Sequence, residues 1–144
     1  MSTFHQLFLA ETKRRLLEES IPRTRKCLGM LSKDEIRHRP NDRSNSVVNL
    51  VFHLCGNARQ WVIAGFGKAK DVRQRQAEFD ERGPFPTEKL LRKLDELEKD
   101  LLVVLDSLTE EELLATHEVQ VFEETGIAIL VHVVEHFSYH VGQI

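Results

Sequence analysis

The sequence predicts an all-α protein, an antiparallel four-helix bundle. Three observations lead there. Four long stretches carry apolar residues at three- and four-residue spacing, turn-forming residues separate them, and strand signal is weak. The 144 residues make a single domain spanning 1–144, large enough to bury a core without staples.

The first helix is expected from about Ser2 to Leu31, with Leu9, Leu16, Ile21, Leu28 and Leu31 among its apolar positions. Pro22 should kink it or divide it in two, because proline lacks the amide hydrogen a helix interior needs. Ser32-Lys-Asp-Glu35 is a capping-box pattern that opens a further short turn. Arg39 to Asn45 is turn chemistry. The second helix runs from about Ser46 to Phe66, closed by Gly65 and Gly67, and is apolar over much of its surface, as suits a central helix. A charged stretch follows from Lys68 to Arg82, and Gly83-Pro-Phe-Pro86 breaks the chain. The third helix, Thr87 to Leu108, has leucines at 90, 91, 94, 97, 101, 102, 105 and 108, the stripe of a helix facing one core. Thr109 to Glu112 forms a second capping box. His117 to Phe122 alternates weakly, as an extended segment would, and Gly126 precedes the fourth helix. An up-down-down-up order, or one long crossover, fits these lengths.

Composition narrows the function. Apolar residues make up 41% and charged residues 30%, with a net charge of -3 and a pI near 6.2. That balance argues against nucleic-acid binding. The basic runs at Lys13 to Arg15 and Arg23 to Lys26 are interleaved with Glu11, Glu18 and Glu19, which reads as a solvated helix face. Two cysteines, Cys27 and Cys55, make no disulfide framework. The N-terminus lacks the basic start and apolar core of a signal peptide, and no apolar run approaches the roughly twenty residues of a membrane span. The expectation is a cytoplasmic protein acting on a small molecule.

The richest segment is His132-Val-Val-Glu-His136-Phe-Ser-Tyr-His140-Val-Gly-Gln-Ile144. Its histidines recur every four residues, so consecutive rings are offset by only about 40° on a helix and share one face. Asn49, His53 and Asn57 form a matching polar row on the second helix, with Gln60 close to the same face. If both rows point inward, His53 meets His136 and His140, and three imidazoles surround one point. Three nitrogen ligands leave a coordination position for water or substrate, as in catalytic zinc sites. Asn57 and Gln143 lie one helical turn from His53 and His140, placed to orient them. A lone buried histidine is ordinarily packed and hydrogen-bonded, so the residues alone leave both the ligand and the packing readings open.

Other patterns compete. His136-Phe-Ser-Tyr-His140 has zincin spacing, but Phe137 stands where the general-base glutamate must be. His132-Val-Val-Glu135-His136 fits the inverted pattern, with Glu135 as base and His132 and His136 as ligands, and requires a further ligand downstream. Cys55 reads as a packing cysteine and Trp61 as core. Arg73, Arg75 and Glu78 either line the entrance to the site, where arginine suits an anionic substrate group, or form surface ion pairs. His5, His38 and His117 have no partner in spacing.

Asn45-Ser-Val-Val-Asn-Leu-Val-Phe-His53-Leu-Cys-Gly-Asn57-Ala-Arg-Gln-Trp61, followed by Glu135-His136-Phe-Ser-Tyr-His140-Val-Gly142-Gln143-Ile144, resembles the DinB/YfiT-like metalloenzyme superfamily. Asp71-Val-Arg-Gln-Arg-Gln-Ala-Glu-Phe79 looks like an uncharacterised branch of it. The resemblance spans nearly the whole chain. It implies a DinB-type bundle, often dimeric, holding a divalent metal, commonly zinc or nickel, on His53, His136 and His140. His132, one turn earlier, is then a neighbour of the ligands. Similar members continue the fourth helix beyond Gly-Gln-Ile, so a further segment covering the site is expected.

Characterised relatives include transferases of bacillithiol, mycothiol or glutathione. The resemblance therefore implies transfer of a low-molecular-weight thiol to a small electrophile, although no residue supplies a convincing general base. The alternative is a non-catalytic, stress-associated bundle in which the metal ties helix two to helix four. Helix four is apolar nearly all round, at Ile127, Ile129, Leu130, Val131, Val133, Val134 and Phe137. One buried stripe cannot absorb so many, which predicts cover from a second subunit and a homodimer.

Overall fold

The computed structural model describes all 144 residues. The chain is predominantly helical. A first rod joins α1 (Phe4–Lys13), a π-helical stretch (Arg14–Ser20) and α2 (Ile21–Met30). The short α3 (Lys33–Arg37) leads to a second rod, α4 (Val47–Ala58) continued by π-helical Arg59–Ala64. A long crossover containing α5 (Arg75–Asp80) reaches α6 (Thr87–Ser107). Then α7 (Glu110–Leu114), the strands β1 (Thr116–Val119) and β2 (Phe122–Thr125), and α8 (Gly126–Gln143) complete the chain.

One expectation changes here, and another is narrowed. The protein is not wholly helical: β1 and β2 pair antiparallel, with Val119 opposite Phe122, around a turn in which Gln120 adopts φ 57°. Of the two outcomes expected at Pro22, a kink or a division, the division does not occur. Pro22 sits at the start of α2 with helical backbone on both sides, and the preceding π-helical stretch widens the turn where the proline ring would otherwise crowd a carbonyl.

Helix starts follow local chemistry. Thr3, Ser32, Ser46 and Thr109 each accept a bond from the backbone three residues on, and the side chain of that residue bonds back to the cap. Each box satisfies two amide groups that a helix N-terminus leaves unpaired.

Directions follow from side-chain pairs. Lys13 reaches Asp106 and Arg25 reaches Asp95, so the first rod runs opposite to α6. Phe52 packs on Phe85 and Arg59 bonds Asp100, so the second rod runs with α6. His53 faces His136 while Trp61 stacks on His132, so α8 runs opposite to the second rod. The order is up-down-down-up, and the crossover must return the full length of the second rod. No helix is long and apolar enough to cross a membrane.

Leu16, Ile21, Leu28, Val51, Leu54, Leu94, Leu97, Leu101, Leu130 and Phe137 meet in one apolar core. On α8 the chain covers its own helix more fully than expected. Ile129, Leu130, Val133 and Phe137 are buried and Ile127 and Val134 partly so, while Val131 is exposed. Gly126 makes this packing possible, because a Cβ there would lie 2.4 Å from the carbonyl oxygen of Glu112.

Leu97 has no exposed surface, and Leu102 on the same helix is 43% exposed. Leu97→Ala is expected to cost about 2–5 kcal/mol in denaturant unfolding, and Leu102→Ala about 0.5 kcal/mol or less. Equal losses would show that α6 does not present Leu97 to the core.

Candidate metal centre

Helix α4 is buried around most of its circumference, yet Asn49, His53 and Asn57 form a polar row along it. A buried polar group left unpaired costs about 1–3 kcal/mol, so each needs a partner from a neighbouring element. Asn49 Nδ2 donates to the carbonyls of Glu78 (2.8 Å) and Glu81 (3.1 Å). Its Oδ1 accepts from the Ser46 amide and from Arg39. These bonds bring the end of the crossover against α4.

His53 meets α8. Its Nε2 lies 3.0 Å from Nε2 of His136, and the His140 ring is 4.9 Å away, edge-on. One ligand atom from each of His53, His136 and His140 can be chosen so that all three lie within 4.8 Å of one another. On its other side, Nδ1 of His53 is 3.0 Å from Oε2 of Glu78. Glu78 is buried beside Arg73, whose Nε and Nη2 donate to its two oxygens at 2.7 and 2.9 Å. Nη1 of Arg73 donates to Gln60 at 2.8 Å.

The remaining residues of interest sit around this centre. Gln143 Oε1 lies 2.6 Å from Nδ1 of His140. An amide oxygen only accepts, so Nδ1 carries the proton and Nε2 of His140 keeps a free lone pair. His132 stacks on Trp61 at 3.9 Å and stands outside the three-histidine group. Asn57 approaches His132 at 3.5 Å, not His53, and its Oδ1 and Trp61 Nε1 are buried without a protein partner. Arg75 is exposed, with its guanidinium 5.1 Å from the centre of the Phe79 ring. Arg73, by contrast, is committed to Glu78 and Gln60, and its Nη2 also lies 3.1 Å from Nδ1 of His53.

The charge state suits a cation. Burial, then the neighbouring imidazoles His140 and His53, push His136 down to about 3. Burial also lowers His132 and His140. Neutral imidazoles offer lone pairs at physiological pH. For Glu78, burial acts to raise the pKa, but hydrogen bonds from Arg73 and His53 outweigh it and hold the carboxyl below its ordinary value. Three imidazole nitrogens on two facing helices suit a divalent transition-metal ion by donor type, and the close approach of two Nε2 atoms is an arrangement that one cation would satisfy. The residues present therefore fit the group. Burial pushes the Cys55 thiol up to about 12, which leaves it inert as a nucleophile.

A cavity of about 350 Å³ lies between the second rod, the crossover and α6, with Phe52, Gly56, Arg59, Arg73, Glu78 and Lys93 among its lining. None of the three histidines lines it; Arg73 and Glu78 are the wall between.

The sequence had offered Glu78 as a residue lining an entrance or in a surface ion pair, not as a partner of His53. The overlooked signal was Gly56, three residues after His53. A glycine inside a helix costs stability and points to a close approach. A Cβ on Gly56 would fall 1.9 Å from Oε1 of Glu78.

The fold is shared with solved structures. A crystal structure of a DinB-like protein from Bacillus cereus ATCC 10987 matches with a TM-score of 0.67 at 15% identity, over 88% of this chain and 82% of that one. A conserved protein from Enterococcus faecalis matches with a TM-score of 0.73 at 18% identity, over 99% of this chain and 94% of that one. No curated protein matches the chain. The family model described as "Protein of unknown function (DUF1572)" matches residues 3–144. With that match over nearly its whole length and a DinB-like architecture, the chain belongs to the DUF1572 family, in the DinB/YfiT-like fold group.

Proposed function

We propose that this protein is a metal-dependent enzyme that transfers a low-molecular-weight thiol to a small electrophile. The observation that carries the reading is the convergence of His53, His136 and His140 from two facing helices. The four long rods form the antiparallel bundle that holds them. A divalent zinc or nickel ion held there supplies Lewis acidity, which lowers the pKa of a thiol or water.

The chain's own residues do the rest. His53 comes from the buried helix and is fixed by its packing, while His136 and His140 on α8 are only half-buried. Gln143 orients His140 through Nδ1. Asn57 approaches His132, which packs on Trp61 one turn from the ligands. Of the two arginines expected to bind substrate, Arg73 has its donors engaged. Arg75 is the one left for an anionic group, beside Phe79, whose ring lies 5.0 Å from that of His53.

A second reading, a non-catalytic bundle in which the metal ties α4 to α8, uses the same histidines. It is favoured by the absence of any group placed as a general base, since Glu78 is already bonded to Arg73 and His53. Thiol transfer upon loading with zinc or nickel separates the two, as the tie alone gives none.

Elemental analysis of the purified protein should find about one divalent metal per chain. His53→Ala, His136→Ala and His140→Ala should each lose it, and His132→Ala should keep it. Loss in the His132 and His136 variants alone would instead select the inverted zincin pattern. Removal of the metal by chelation should lower the melting temperature. A ligand present at a hundred times its dissociation constant contributes about 2.7 kcal/mol, and an unchanged melting curve would count against a site joining two rods.

Assembly as a homodimer belongs to the same proposal, through exposed Val131 and Tyr139 on α8. Sedimentation at micromolar concentration should give twice the chain mass, and Val131→Glu should halve it. A monomeric wild type removes the dimer.

A further inference from the structure

Histidine can present a metal with a lone pair on either ring nitrogen, and the proton on the other nitrogen decides which. Around His53 that choice is constrained from three sides. Both oxygens of Glu78 receive N–H groups from Arg73, as in a carboxylate–guanidinium pair, so Glu78 has nothing to donate. Its Oε2 nevertheless lies 3.0 Å from Nδ1 of His53, with both side chains buried. Nη2 of Arg73 also lies 3.1 Å from Nδ1, but it already donates to Oε2 at 2.9 Å, and a bare Nδ1 would set its lone pair against the carboxylate. The arrangement that leaves neither acceptor facing another is Nδ1–H donating to Oε2. Nε2 is then bare and faces His136.

We propose that Glu78 is a positioning residue that fixes His53 as the Nδ1–H tautomer with Nε2 free for a cation, and that Gly56 is the notch that admits its carboxylate. This rests on the three histidines being the metal face. The notch is specific. The carboxylate crosses α4 where position 56 lacks a side chain, and a methyl group there would collide with Oε1 and Cδ of Glu78, at 1.9 and 2.9 Å. The backbone supports the same placement, since Asn49 on α4 holds the Glu78 carbonyl at 2.8 Å. Arg73 completes the arrangement by holding both oxygens. The crossover therefore acts on the metal face through the Glu78 carboxylate, held by Arg73, without contributing a ligand.

The test begins on metal-free, isotope-labelled protein with two-bond proton–nitrogen correlation spectra of the imidazoles, the His53 signals being assigned by their loss in His53→Gln. Wild type should show His53 protonated on Nδ1 and bare on Nε2. In Glu78→Gln the single amide oxygen is claimed by Arg73 and the amide N–H group faces the ring, so His53 should shift to the Nε2–H form. Zinc affinity, measured by competition with a chromophoric chelator, should fall 10- to 100-fold. Gly56→Ala keeps every charge and introduces a better helix former, yet should move both readouts in the same direction.

A wild-type His53 protonated on Nε2 overturns the proposal outright, whatever the variants do. Unchanged tautomer and zinc affinity in folded Glu78→Gln and Gly56→Ala overturn it while leaving the metal centre standing. Failure of wild type to bind zinc or nickel defeats the metal reading instead, and the spectra then still decide whether Glu78 orients His53. Circular dichroism identifies a variant that has lost its fold. If Glu78→Gln unfolds, Gly56→Ala and the wild-type spectrum carry the decision.

Discussion

The constraint on which the rest depends is the burial of a polar row on α4. That helix contributes Val48, Val51, Leu54 and Ala58 to the core, and between them it buries Asn49, His53 and Asn57. In an apolar interior each of these must be paired within the protein or pay the desolvation cost. The partners come from three directions: the loop before α4 through Ser46 and Arg39, the crossover through Glu78 and Glu81, and α8 through His132 and His136. The row therefore dictates where the crossover and the last helix lie. Apolar packing alone, being non-directional, would not choose between neighbouring registers.

This explains why the crossover is ordered despite its composition. Residues 68–82 are highly charged and begin without regular structure, yet they place one carboxylate and one guanidinium against the centre of the second rod. Buried ion pairs rarely add net stability, because desolvating both partners offsets their attraction. The Glu78–Arg73 pair is better understood through direction than through energy. It fixes the carboxylate that faces His53, and Gly56 gives up helix propensity to let it approach. Asn57 shows the opposite case, a row member whose oxygen finds no protein partner.

The two halves of the three-histidine cluster differ in kind. His53 is locked on a helix surrounded by core, whereas His136 and His140 lie on the side of α8 that is partly open. A centre built in this way has a rigid wall and a more accessible one. The cavity on the far side of Glu78 is lined by Glu78 and Arg73 and by none of the three imidazoles.

Much of this was legible in the sequence, for local reasons. The leucine stripe of α6 and the capping residues at Ser32 and Thr109 are governed by spacing within a few residues, and their elements lie where that spacing put them. The four-residue recurrence of His132, His136 and His140 placed the three on one face by helix geometry alone. Helix α5 inside a charged stretch was not legible, His117 to Phe122 gave only a weak extended signal for the hairpin, and kinking and division stayed open at Pro22, since each depends on what packs against it. The division of labour among the histidines also depended on tertiary structure. His132 and His136 are equivalent by sequence spacing, but Trp61 occupies the first and His53 meets the second. The sequence by itself determined which side chains share a helix face, because backbone periodicity is local. Only the tertiary structure decided which face meets which, and which buried nitrogen is left with a free lone pair, because those depend on partners supplied by residues distant along the chain.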